Sequence, residues 1–344
     1  MSSAVRQAVI MVGGKGTRLY PLTETRPKPV LPVLNKPCLR YLIESMAAAG
    51  IEDVFLACGY KSDKIAEAIG DGSDLGIRII YSEEDTPLGT GGAMKKLEGR
   101  LDQVFIAANG DTFADIDIKE EIAAHLNSAA AVTIALTQVK NPCEFGIVRV
   151  DATGRILEFK EKPKPEEVFS DLVNAGIYVV DRRILADIPA DSFFDFSKDL
   201  VPILMKRGDR IQGYVLKGVW HDVGRPSDLL ATNLLMASRL YDDFLWNAAA
   251  VSGCKTVKPL YLGDGTAVSG STVTAAVIMH DSTVKNSRIV NSVIMPGCRI
   301  ENADIENTIL GEGCTVGCGA KVLNAVLRDG TAVAAGQFID GRVG

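Results

Sequence analysis

From the start of the chain to about residue 235, short runs of aliphatic and β-branched residues alternate with amphipathic stretches. Runs of this length, bounded by glycine, asparagine or polar residues, predict β-strands. The candidates are Ala8 to Val12, Asp53 to Ala57, Ile77 to Tyr81, Gln103 to Ala107 and Ala131 to Leu136. Apolar residues at helical spacing from Leu39 to Met46, followed by Gly50, predict a helix with a glycine cap. Strands that alternate with helices predict a largely parallel sheet covered on both faces, with ligands at the carboxyl ends of its strands.

The pattern changes beyond about residue 259, where aliphatic residues recur at spacings of six, five and five positions. Each coil is therefore 16 residues long, and coils begin at Leu262, Ile278, Ile294 and Leu310, with a 17-residue turn before Leu327. A fixed period predicts a solenoid in which each coil buries its aliphatic row against the next, a register that an irregular β-sandwich lacks. Three aliphatic corners per coil favour a triangular β-helix, and the spacing resembles the left-handed hexapeptide-repeat helix.

The same register aligns polar residues from coil to coil. One predicted column contains Thr266, Ser282, Cys298, Cys314 and Thr331. A second column contains Asn291, Asn307 and Asn324. Stacked asparagines of this kind predict a hydrogen-bonded ladder at a turn, where asparagine also tolerates positive φ.

The segment from Leu229 to Ala250 predicts a helix between the two regions, with Pro226 suited to its first turn. We therefore expect an N-terminal α/β domain over residues 1–235, a helical linker over 236–258 and a β-helix over 259–344. The last coil of a solenoid exposes backbone and aliphatic surface that a partner subunit can cover, so we expect a homo-oligomer.

Composition narrows the classes of partner. The 344 residues are 47% hydrophobic with a formal charge of −6, so no basic surface is available to gather nucleic acid or anionic lipid. No apolar run approaches the ~20 residues of a spanning helix, and no signal-peptide apolar region is present, which predicts a cytoplasmic protein without a membrane segment. The seven cysteines form no CxxC pair, which argues against a disulfide scaffold and a structural zinc site.

The first predicted strand leads directly into the basic, glycine-rich sequence GGKGTRL, which starts at Gly13. Glycines let the backbone approach an anion and present its N–H groups, while Lys15, Arg18 and Lys28 supply positive charge. These features predict a phosphate-binding loop. It lacks the Gly-Lys-Ser/Thr ending of a Walker A loop and the third glycine of the dinucleotide-binding fingerprint.

Two aspartates are candidate metal ligands. Asp111 follows the predicted strand Gln103 to Ala107 at its carboxyl end, and Asp222 lies in a short loop much later. Alone, either residue would more often cap a turn. Two carboxylates brought together by the fold suit Mg²⁺, which prefers oxygen ligands and binds through one or two carboxylates plus substrate phosphates.

Seven motifs, in this order, make the sequence resemble the sugar nucleotidyltransferases, also called nucleoside-diphosphate-sugar pyrophosphorylases. The motifs are GGKGTRL continuing to RPKPVLPV, PLGTGGA from Pro87, NGD from Asn109, FGIV from Phe145, EKP from Glu161, NAGIY from Asn174 and WHDVG from Trp220. The motifs extend from Gly13 to Gly224, and together with the β-helix the resemblance covers almost the whole chain. The resemblance implies a Rossmann-like (GT-A-like) α/β domain with a mixed, mostly parallel sheet, followed by a left-handed parallel β-helix.

The resemblance also implies roles for the motif residues. Asp111 and Asp222 would bind Mg²⁺ as the cofactor. Arg18 and Lys28 would contact the phosphates of a nucleoside triphosphate, and Lys162 the phosphate of a sugar 1-phosphate. The other implied nucleotide contacts are Val12, Gly13, Gly14, Gly16, Thr17, Glu84 and Gly89, and the implied sugar contacts are Gly146, Glu161 and Asn174. No covalent nucleophile is required, because the substrate phosphate can itself attack the α-phosphorus in line.

Glu84 bears on the nucleobase, because it lies five residues before Gly89, where the family contacts the base. Thymidylyl and uridylyl relatives often have glutamine there. A carboxylate offers only acceptors and matches guanine, whose N1–H and amino group both donate. Glu83 is a second candidate for this contact. The chain therefore resembles most the mannose-1-phosphate guanylyltransferases with a C-terminal β-helix, which implies GTP and mannose 1-phosphate as substrates.

Other activities remain open from the sequence. Similar motifs occur in heptose-1-phosphate guanylyltransferases and in glucose-1-phosphate uridylyl- and thymidylyltransferases. The β-helix could also acylate a sugar amine, although it offers only His280 as a base and little surface for coenzyme A. A catalytically silent regulatory subunit is the remaining alternative. The charged residues that such subunits typically lose are all present here and argue against it: Arg18, Lys28, Asp111, Lys162 and Asp222.

Overall fold

The structure is a computed structural model that describes residues 5–14, 16–84, 86–240 and 250–343. It contains two compact units. Unit 1 consists of Met1–Gly14 and Leu39–Trp220, and unit 2 of Lys15–Cys38 and His221–Gly344. The glycine-rich loop therefore crosses from unit 1 to unit 2 after Gly14. Residues 16–38, which we call the arm, fold with the C-terminal part of the chain.

The helices and strands follow each other along both units. Within the described residues the α-helices are α1 (Cys38–Ala48), α2 (Ser62–Ile69), α3 (Gly89–Lys96), α4 (Lys119–Ser128), α5 (Val201–Arg207) and α6 (Pro226–Ser238). The first strands are β1 (Gln7–Met11), β2 (Pro32–Val33), β3 (Lys36–Pro37), β4 (Asp53–Cys58), β5 (Arg78–Glu83), β6 (Val104–Asn109), β7 (Thr112–Ile116), β8 (Val132–Gln138), β9 (Gly146–Val150), β10 (Ile156–Glu161), β11 (Leu172–Asp181), β12 (Ile211–Val215) and β13 (Gly218–Asp222). The later strands are β14 (Ala250–Ser252), β15 (Lys255–Leu262), β16 (Ala267–Ser269), β17 (Thr272–Ile278), β18 (Thr283–Lys285), β19 (Arg288–Ile294), β20 (Arg299–Glu301), β21 (Asp304–Glu306), β22 (Ile309–Leu310), β23 (Thr315–Val316), β24 (Lys321–Leu327), β25 (Ala332–Val333) and β26 (Phe338–Val343).

Unit 1 is built on one mixed sheet with the strand order β10-β9-β11-β6-β1-β4-β5, and β8 extends it by pairing with β11 and β12. The central strands β6, β1, β4 and β5 are parallel, as are β8 and β12, whereas β11 runs antiparallel to β6 and β8. The five strands expected from the sequence are all present, with ends displaced by at most two residues. The α/β fold class is therefore confirmed.

The middle of this sheet is buried on both faces, which explains its continuous apolar runs. The residues of β6 from Phe105 to Ala108 are each 0% exposed. A strand covered on both sides has no solvent face on which to alternate polar residues. The predicted helix is α1, and Gly50 follows it with φ 92°.

Unit 2 contains a parallel β-helix whose register has the predicted period. Val268 pairs with Val284, Val284 with Ile300 and Ile300 with Val316 at steps of 16 residues, and Val316 pairs with Val333 after 17. These five side chains are at most 3% exposed. Each coil therefore buries its aliphatic row on the next one, and the predicted left-handed parallel β-helix is confirmed.

The polar columns are present as well. Asn291 Nδ2 donates to Asn307 Oδ1 at 2.7 Å, and Asn307 Nδ2 donates to Asn324 Oδ1 at 3.2 Å. The ladder ends on Asp340, whose Oδ1 accepts from Asn324 at 3.0 Å. In the other column, side chains donate to a carbonyl of the next coil; the donors are Thr266, Ser282, Cys298 and Cys314. Thr331 instead donates within its own turn.

The connecting helix is shorter than expected. α6 has Pro226 in its first turn, as predicted, and packs against β15, β17 and β19. It ends at Ser238, and Ala250, expected at the end of the helix, is the first residue of β14. Residues 241–249 of the expected linker lie outside the described residues. Within the described part of the chain, no helix is long and apolar enough to cross a membrane.

Candidate active site

The carboxyl ends of β1 and β6 lie side by side in unit 1. Met11 pairs with Asn109 in the parallel register, and the Gly110 N–H donates to the Met11 carbonyl at 2.9 Å. A methyl group on Gly110 would lie 2.4 Å from Val12 Cγ1, so this close approach requires glycine. The fold thus places Asp111 beside the start of the glycine-rich loop, at the edge where α/β sheets bind ligands.

Gly13 and Gly14 are exposed glycines that the packing of the protein does not explain. Neither has positive φ, and a methyl group on either would meet no atom of the described residues within 4 Å. Gly16, in contrast, has φ 62°, and a methyl group there would lie 2.9 Å from Lys28 Cβ. Approach of a phosphate to bare backbone would account for glycine at positions 13 and 14. Lys15 lies outside the described residues.

The NGD motif contains a buried polar group, the side chain of Asn109, that was not among the predicted site residues. Asn109 Oδ1 is buried and has no hydrogen-bond partner among the described residues. On its other side, a methyl group on Gly176 would lie 2.6 Å from Asn109 Nδ2, so the asparagine is packed tightly against the NAGIY motif. Because an unpaired buried acceptor costs about 1–3 kcal/mol, Asn109 is a candidate ligand contact beside Asp111.

Glu84 binds the backbone of the PLGTGGA motif through its side chain. Glu84 Oε2 accepts the Leu88 N–H at 3.3 Å, and burial raises the pKa of this carboxyl above its ordinary value. The Glu83 carboxylate is exposed instead and accepts a hydrogen bond from Ser62 Oγ at 2.9 Å. Of the two glutamates considered for the contact with the nucleobase, Glu84 is therefore the one whose carboxylate is partly buried against the PLGTGGA backbone.

The glycines of PLGTGGA pack on one carbonyl group. Gly89 has φ 72°, and a methyl group on it would lie 2.7 Å from the Phe194 carbonyl oxygen. The N–H groups of Gly91 and Gly92 donate to the same oxygen at 2.8 and 3.1 Å. This packing accounts for the glycines by itself, and the base contact of Gly89 stays a prediction.

The FGIV and EKP motifs meet where β9 pairs with β10. Gly146 lies opposite Glu161 in the antiparallel register, and a methyl group on Gly146 would lie 2.7 Å from Glu161 Oε2. Burial raises the pKa of Glu161, and nearby Lys162 opposes the shift. The Lys162 N–H donates to the Phe145 carbonyl at 2.9 Å, which holds the lysine at φ 46°. Three predicted substrate contacts, Gly146, Glu161 and Lys162, are therefore neighbours in unit 1.

Asn174, predicted to bind the sugar, is 9% exposed and has an engaged amide. Its Nδ2 donates to Tyr178 Oη at 3.0 Å and to Ser197 Oγ at 3.1 Å, and its Oδ1 accepts the Gly176 N–H at 2.8 Å. Burial raises the pKa of Tyr178 to about 12, so its hydroxyl stays protonated. The Asn174 oxygen keeps one lone pair for a ligand, because a carbonyl oxygen accepts two hydrogen bonds.

An aromatic pair joins three motifs in the same unit. Trp220 Nε1 donates to the Ala175 carbonyl at 2.8 Å, next to Asn174. The Phe145 ring packs edge-on against Trp220, with centroids 5.8 Å apart. The first residue of FGIV and the first of WHDVG therefore support the backbone of NAGIY. In the sequence, only the occurrence of Phe145 in FGIV and of Trp220 in WHDVG indicated that these aromatic residues matter for the site.

In unit 2 the arm brings its cations to Asp222. Lys28 is 6% exposed, and its Nζ lies 3.2 Å from Asp222 Oδ1. A methyl group on Gly224 would lie 3.1 Å from Arg18 Nη2 and 3.4 Å from Asp222 Oδ2, so this glycine gives the two side chains their space. Arg18 lies in a short 3₁₀ helix that begins at Thr17. The fold thus brings together Arg18, Lys28 and Asp222 within one unit.

The donor chemistry at both aspartates fits magnesium. Asp111 leaves the carboxyl edge of the sheet in unit 1, and Asp222 accompanies the two cations in unit 2. A carboxylate has about four lone-pair sites, so the Lys28 contact leaves Asp222 able to bind a metal. Among the described residues, no group of three or more His, Cys, Asp or Glu side chains could hold a metal ion. A magnesium ion held here would therefore complete its coordination with water and substrate phosphates.

A mixed α/β sheet with a bare glycine loop and an aspartate at one edge, followed by a hexapeptide-repeat β-helix, defines a nucleotidyltransferase domain with a C-terminal solenoid. Residues 7–239 match the family model described as Nucleotidyl transferase, and residues 252–332 match the one described as GlmU-like, C-terminal hexapeptide. The chain belongs to the nucleotidyl transferase family.

Similar proteins carry related names. The chain is 40% identical over 225 residues to a mannose-1-phosphate guanylyltransferase of Mycobacterium tuberculosis, covering 65% of this chain and 62% of that protein. It is 33% identical over 276 residues to a putative mannose-1-phosphate guanyltransferase of Sulfolobus acidocaldarius, covering 79% and 75% of the two chains. It is also 34% identical over 230 residues to the bifunctional protein GlmU of Methanococcus maripaludis, covering 66% and 53%. The match thus spans less than two thirds of the length of the first and third relatives.

Proposed function

We propose that this protein transfers a nucleotidyl group from a nucleoside triphosphate to a sugar 1-phosphate, and that GTP and mannose 1-phosphate are its substrates. The observation that carries the proposal is the bare, exposed backbone of Gly13 and Gly14 beside Asp111. No packing within the described residues requires glycine there, whereas a triphosphate would. Guanylyltransferases among the relatives support the choice of substrates.

In the proposed reaction, a phosphate oxygen of the sugar 1-phosphate attacks the α-phosphorus of the nucleotide. A new P–O bond forms, the bond between the α-phosphorus and the bridging oxygen breaks, and pyrophosphate leaves with that oxygen and its electron pair. Arg18 and Lys28 neutralise charge on the leaving phosphates, and Lys162 orients the attacking one. The chain supplies position and charge complementarity, so no covalent intermediate is involved.

Asp111 and Asp222 are the residues that would hold Mg²⁺. When bound, the ion would neutralise triphosphate charge and act as a Lewis acid. Lys28 keeps Asp222 in a fixed orientation through the 3.2 Å contact. Replacement of either aspartate by asparagine is expected to lower kcat by at least about 100-fold, the scale on which loss of an electrostatic contact to a transition state is felt.

Glu84 is the proposed reader of the guanine base. One of its oxygens already accepts the Leu88 N–H, and the remaining lone pairs suit the paired donors N1–H and N2–H of guanine. The substitution Glu84→Gln replaces an acceptor with a donor. We expect it to reduce kcat/KM for GTP about 10- to 100-fold and to narrow the preference over UTP, because an unmatched buried polar group costs about 1–3 kcal/mol.

The decisive experiment is a matrix of nucleoside triphosphates and sugar 1-phosphates, read by pyrophosphate release and by the nucleotide sugar formed. Turnover confined to GTP and mannose 1-phosphate supports the proposal. Turnover with UTP or dTTP but not GTP would overturn the assignment of Glu84 and of the base. Binding of GDP-mannose without turnover of any pair would favour a silent regulatory subunit.

Acetyl transfer by the β-helix is the second candidate, because the C-terminal region matches a GlmU-like model. His280 Nδ1 lies 2.9 Å from Asp281 Oδ2, and an acidic neighbour can orient a histidine base. Incubation with acetyl coenzyme A and glucosamine 1-phosphate tests this activity directly. Release of free coenzyme A that disappears in the His280→Ala variant would establish it.

We also propose that the β-helix mediates homo-oligomer assembly. Large apolar side chains remain exposed on it, with Val257 56% and Phe338 62% exposed. Both occur on the sheet that includes the terminal strand β26. Sedimentation at micromolar concentration tests the idea, and a sharp monomer boundary for the intact chain would contradict it.

A further inference from the structure

Arg26 of the arm is bound by two carboxylates of the β-helix. Its Nη2 donates to Glu312 Oε2 at 2.6 Å and to Asp329 Oδ2 at 2.7 Å, and Thr25 Oγ1 donates to the same Asp329 oxygen at 2.6 Å. The side chains of Arg26 and Asp329 are only 20% and 18% exposed, so solvent screens this ion pair less than one on the open surface. Burial would lower the pKa of Arg26, but Asp329 and Glu312 raise it above its ordinary value.

The two carboxylates lie at one corner of the β-helix. Leu310 pairs with Leu327 in adjacent coils. Glu312 lies two residues after Leu310, and Asp329 lies two residues after Leu327, so the two carboxylates occupy equivalent positions in adjacent coils. The Glu312 N–H donates to Asp329 Oδ1 at 2.8 Å, which ties the two turns together. The two carboxylates that bind Arg26 are therefore linked to each other within the β-helix.

The arm meets the same corner at a second point. His280 occupies the equivalent turn position two coils before Glu312, and its N–H contacts Asn35 Oδ1 at 3.4 Å. The Leu34 N–H also donates to Asn233 Oδ1 of α6 at 2.7 Å. Because both attachments lie within unit 2, the arm is fixed at its middle and near its end by elements of the solenoid and its leading helix.

The link from Arg26 to the proposed chemistry is short and stiff. Only Pro27 separates Arg26 from Lys28, and Pro29 follows, so two proline rings restrict the backbone on either side of the lysine. Pro27 and Lys28 are buried. Lys28 in turn contacts Asp222 at 3.2 Å. A shift of Arg26 would therefore displace Lys28 rather than be absorbed by a flexible segment.

We propose that the β-helix positions the arm of its own subunit for catalysis, an inference that rests on the proposed nucleotidyl transfer. Glu312 and Asp329 hold Arg26, and Arg26 in turn holds Lys28 in place for the triphosphate. Arg26 is a positioning residue, since its side chain is occupied by the β-helix. The solenoid then contributes to turnover in addition to any role in assembly.

The variants Arg26→Gln and Asp329→Asn test this proposal by breaking the contact from either side. We expect kcat to fall about 10- to 100-fold, with less than a threefold change in KM for both substrates, because a misplacement of about 1 Å affects mainly the transition state. The double variant is expected to lose no more than the worse single variant, because both substitutions remove one shared contact. Arg26→Lys should retain most of kcat, since both bonds come from a single nitrogen.

Arg288→Gln is the matched control, because Arg288 also binds two carboxylates of the β-helix, Asp304 at 2.7 Å and Glu306 at 2.8 Å. It has no part in the arm contact. Hydrogen exchange of amides in residues 16–33 gives a readout independent of turnover. Exchange should accelerate in Arg26→Gln and Asp329→Asn and remain as in the wild type in Arg288→Gln.

The outcomes separate this inference from the proposed function. A wild-type enzyme that makes nucleotide sugar, with Arg26→Gln as active as Arg288→Gln, overturns the inference and leaves the function standing. A wild type that turns over no substrate pair overturns the function and with it the positioning role. Unchanged exchange in the arm of Arg26→Gln overturns the anchor whatever the activity.

Discussion

Two buried titratable residues on α4 make the stability of unit 1 depend on pH in a way that can be worked out. Glu121 is 0% exposed, neither carboxylate oxygen has a hydrogen-bond partner among the described residues, and burial raises its pKa well above 4.5. His125, one turn later, is 3% exposed, and its Nδ1 lies 3.0 Å from Thr133 Oγ1. Burial lowers the pKa of His125 from 6.5 to about 4. The folded protein therefore holds both side chains in their neutral forms at pH values above about 4 and below the raised pKa of Glu121.

The two shifts have opposite signs. The raised pKa of Glu121 gives a stability that is complete below the unfolded pKa of 4.5 and is lost as the pH rises toward the folded pKa. The lowered pKa of His125 gives a stability that is complete above the unfolded pKa of 6.5 and is lost as the pH falls toward about 4. Between pH 4.5 and 6.5, and below the raised pKa of folded Glu121, the unfolded pair carries one proton, on His125, and the folded pair carries one proton, on Glu121. The pair contributes no net slope in this interval.

If one of the two residues is replaced, the pH dependence of the free energy of unfolding that is due to the other residue can be measured. In Glu121→Gln, the free energy of unfolding should rise with pH by up to about 1.4 kcal/mol per unit, or about 2.7 kcal/mol from pH 4.5 to 6.5. In His125→Asn the free energy of unfolding should instead fall as the pH rises above 4.5, by up to about 1.4 kcal/mol per unit, until the pH reaches the raised pKa of folded Glu121. The double variant should again be flat relative to the wild type.

Urea unfolding at fixed ionic strength, followed by helical circular dichroism, measures these slopes, because α2 to α5, and α1 from Leu39 onward, belong to unit 1. Each variant is compared with the wild type, so titrations common to all proteins cancel. Parallel slopes for Glu121→Gln and the wild type from pH 4.5 to 6.5 would refute the reasoning. The same result for His125→Asn would show that the histidine is charged or hydrated in the folded state.

Three further predictions concern the glycine loop, the asparagine ladder and the sheet edge. Gly13→Ala should leave the melting temperature within about 2 °C of the wild type but weaken GTP binding at least tenfold. Gly16→Ala, at φ 62°, should instead lower the free energy of unfolding by about 1–2 kcal/mol. Equal losses of melting temperature in the two variants would contradict this distinction. Asn307→Ala removes two ladder bonds and places alanine at φ 50°, so thermal unfolding should show a loss of about 1–3 kcal/mol that exceeds the loss in Asn307→Gly. Gly110→Ala should cost about 1–3 kcal/mol through its 2.4 Å clash and lower kcat by displacing Asp111; normal stability and activity would exclude the tight approach.

The sequence predicts the β-helix almost completely, because its structure is set by a local period. Each aliphatic residue such as Val284 packs on the residue one coil away, so the 16-residue spacing in the sequence is the spacing of the register. Strand ends in unit 1 are predicted less closely, since a strand stops where its neighbour stops. β1 begins at Gln7 and ends at Met11, one residue earlier than the apolar run indicates. Ala250 was misassigned because an apolar, alanine-rich segment satisfies helical periodicity as well as a strand.

The candidate site was predicted as a set of motifs but not as a set of contacts. Asn174 is visible in NAGIY, yet its partner Ser197 is 23 residues away in a π-helical turn, and no local pattern connects them. Arg26 is visible in the RPKP sequence, but its partners lie 286 and 303 residues later. Contacts between residues so far apart depend on the packing of whole elements, which periodicity and motif order do not encode.

The arm belongs to the same compact unit as the β-helix, whereas the sequence predicted one domain over residues 1–235. A chain that ended there would keep the arm but lose four β-helix residues that contact it, His280, Glu312, Arg328 and Asp329. Lys28 is buried between two prolines, its Nζ lies 3.2 Å from Asp222 Oδ1, and both residues belong to unit 2. Under the proposed positioning, the arm near the start of the sequence and the last coils near its end therefore act together in catalysis.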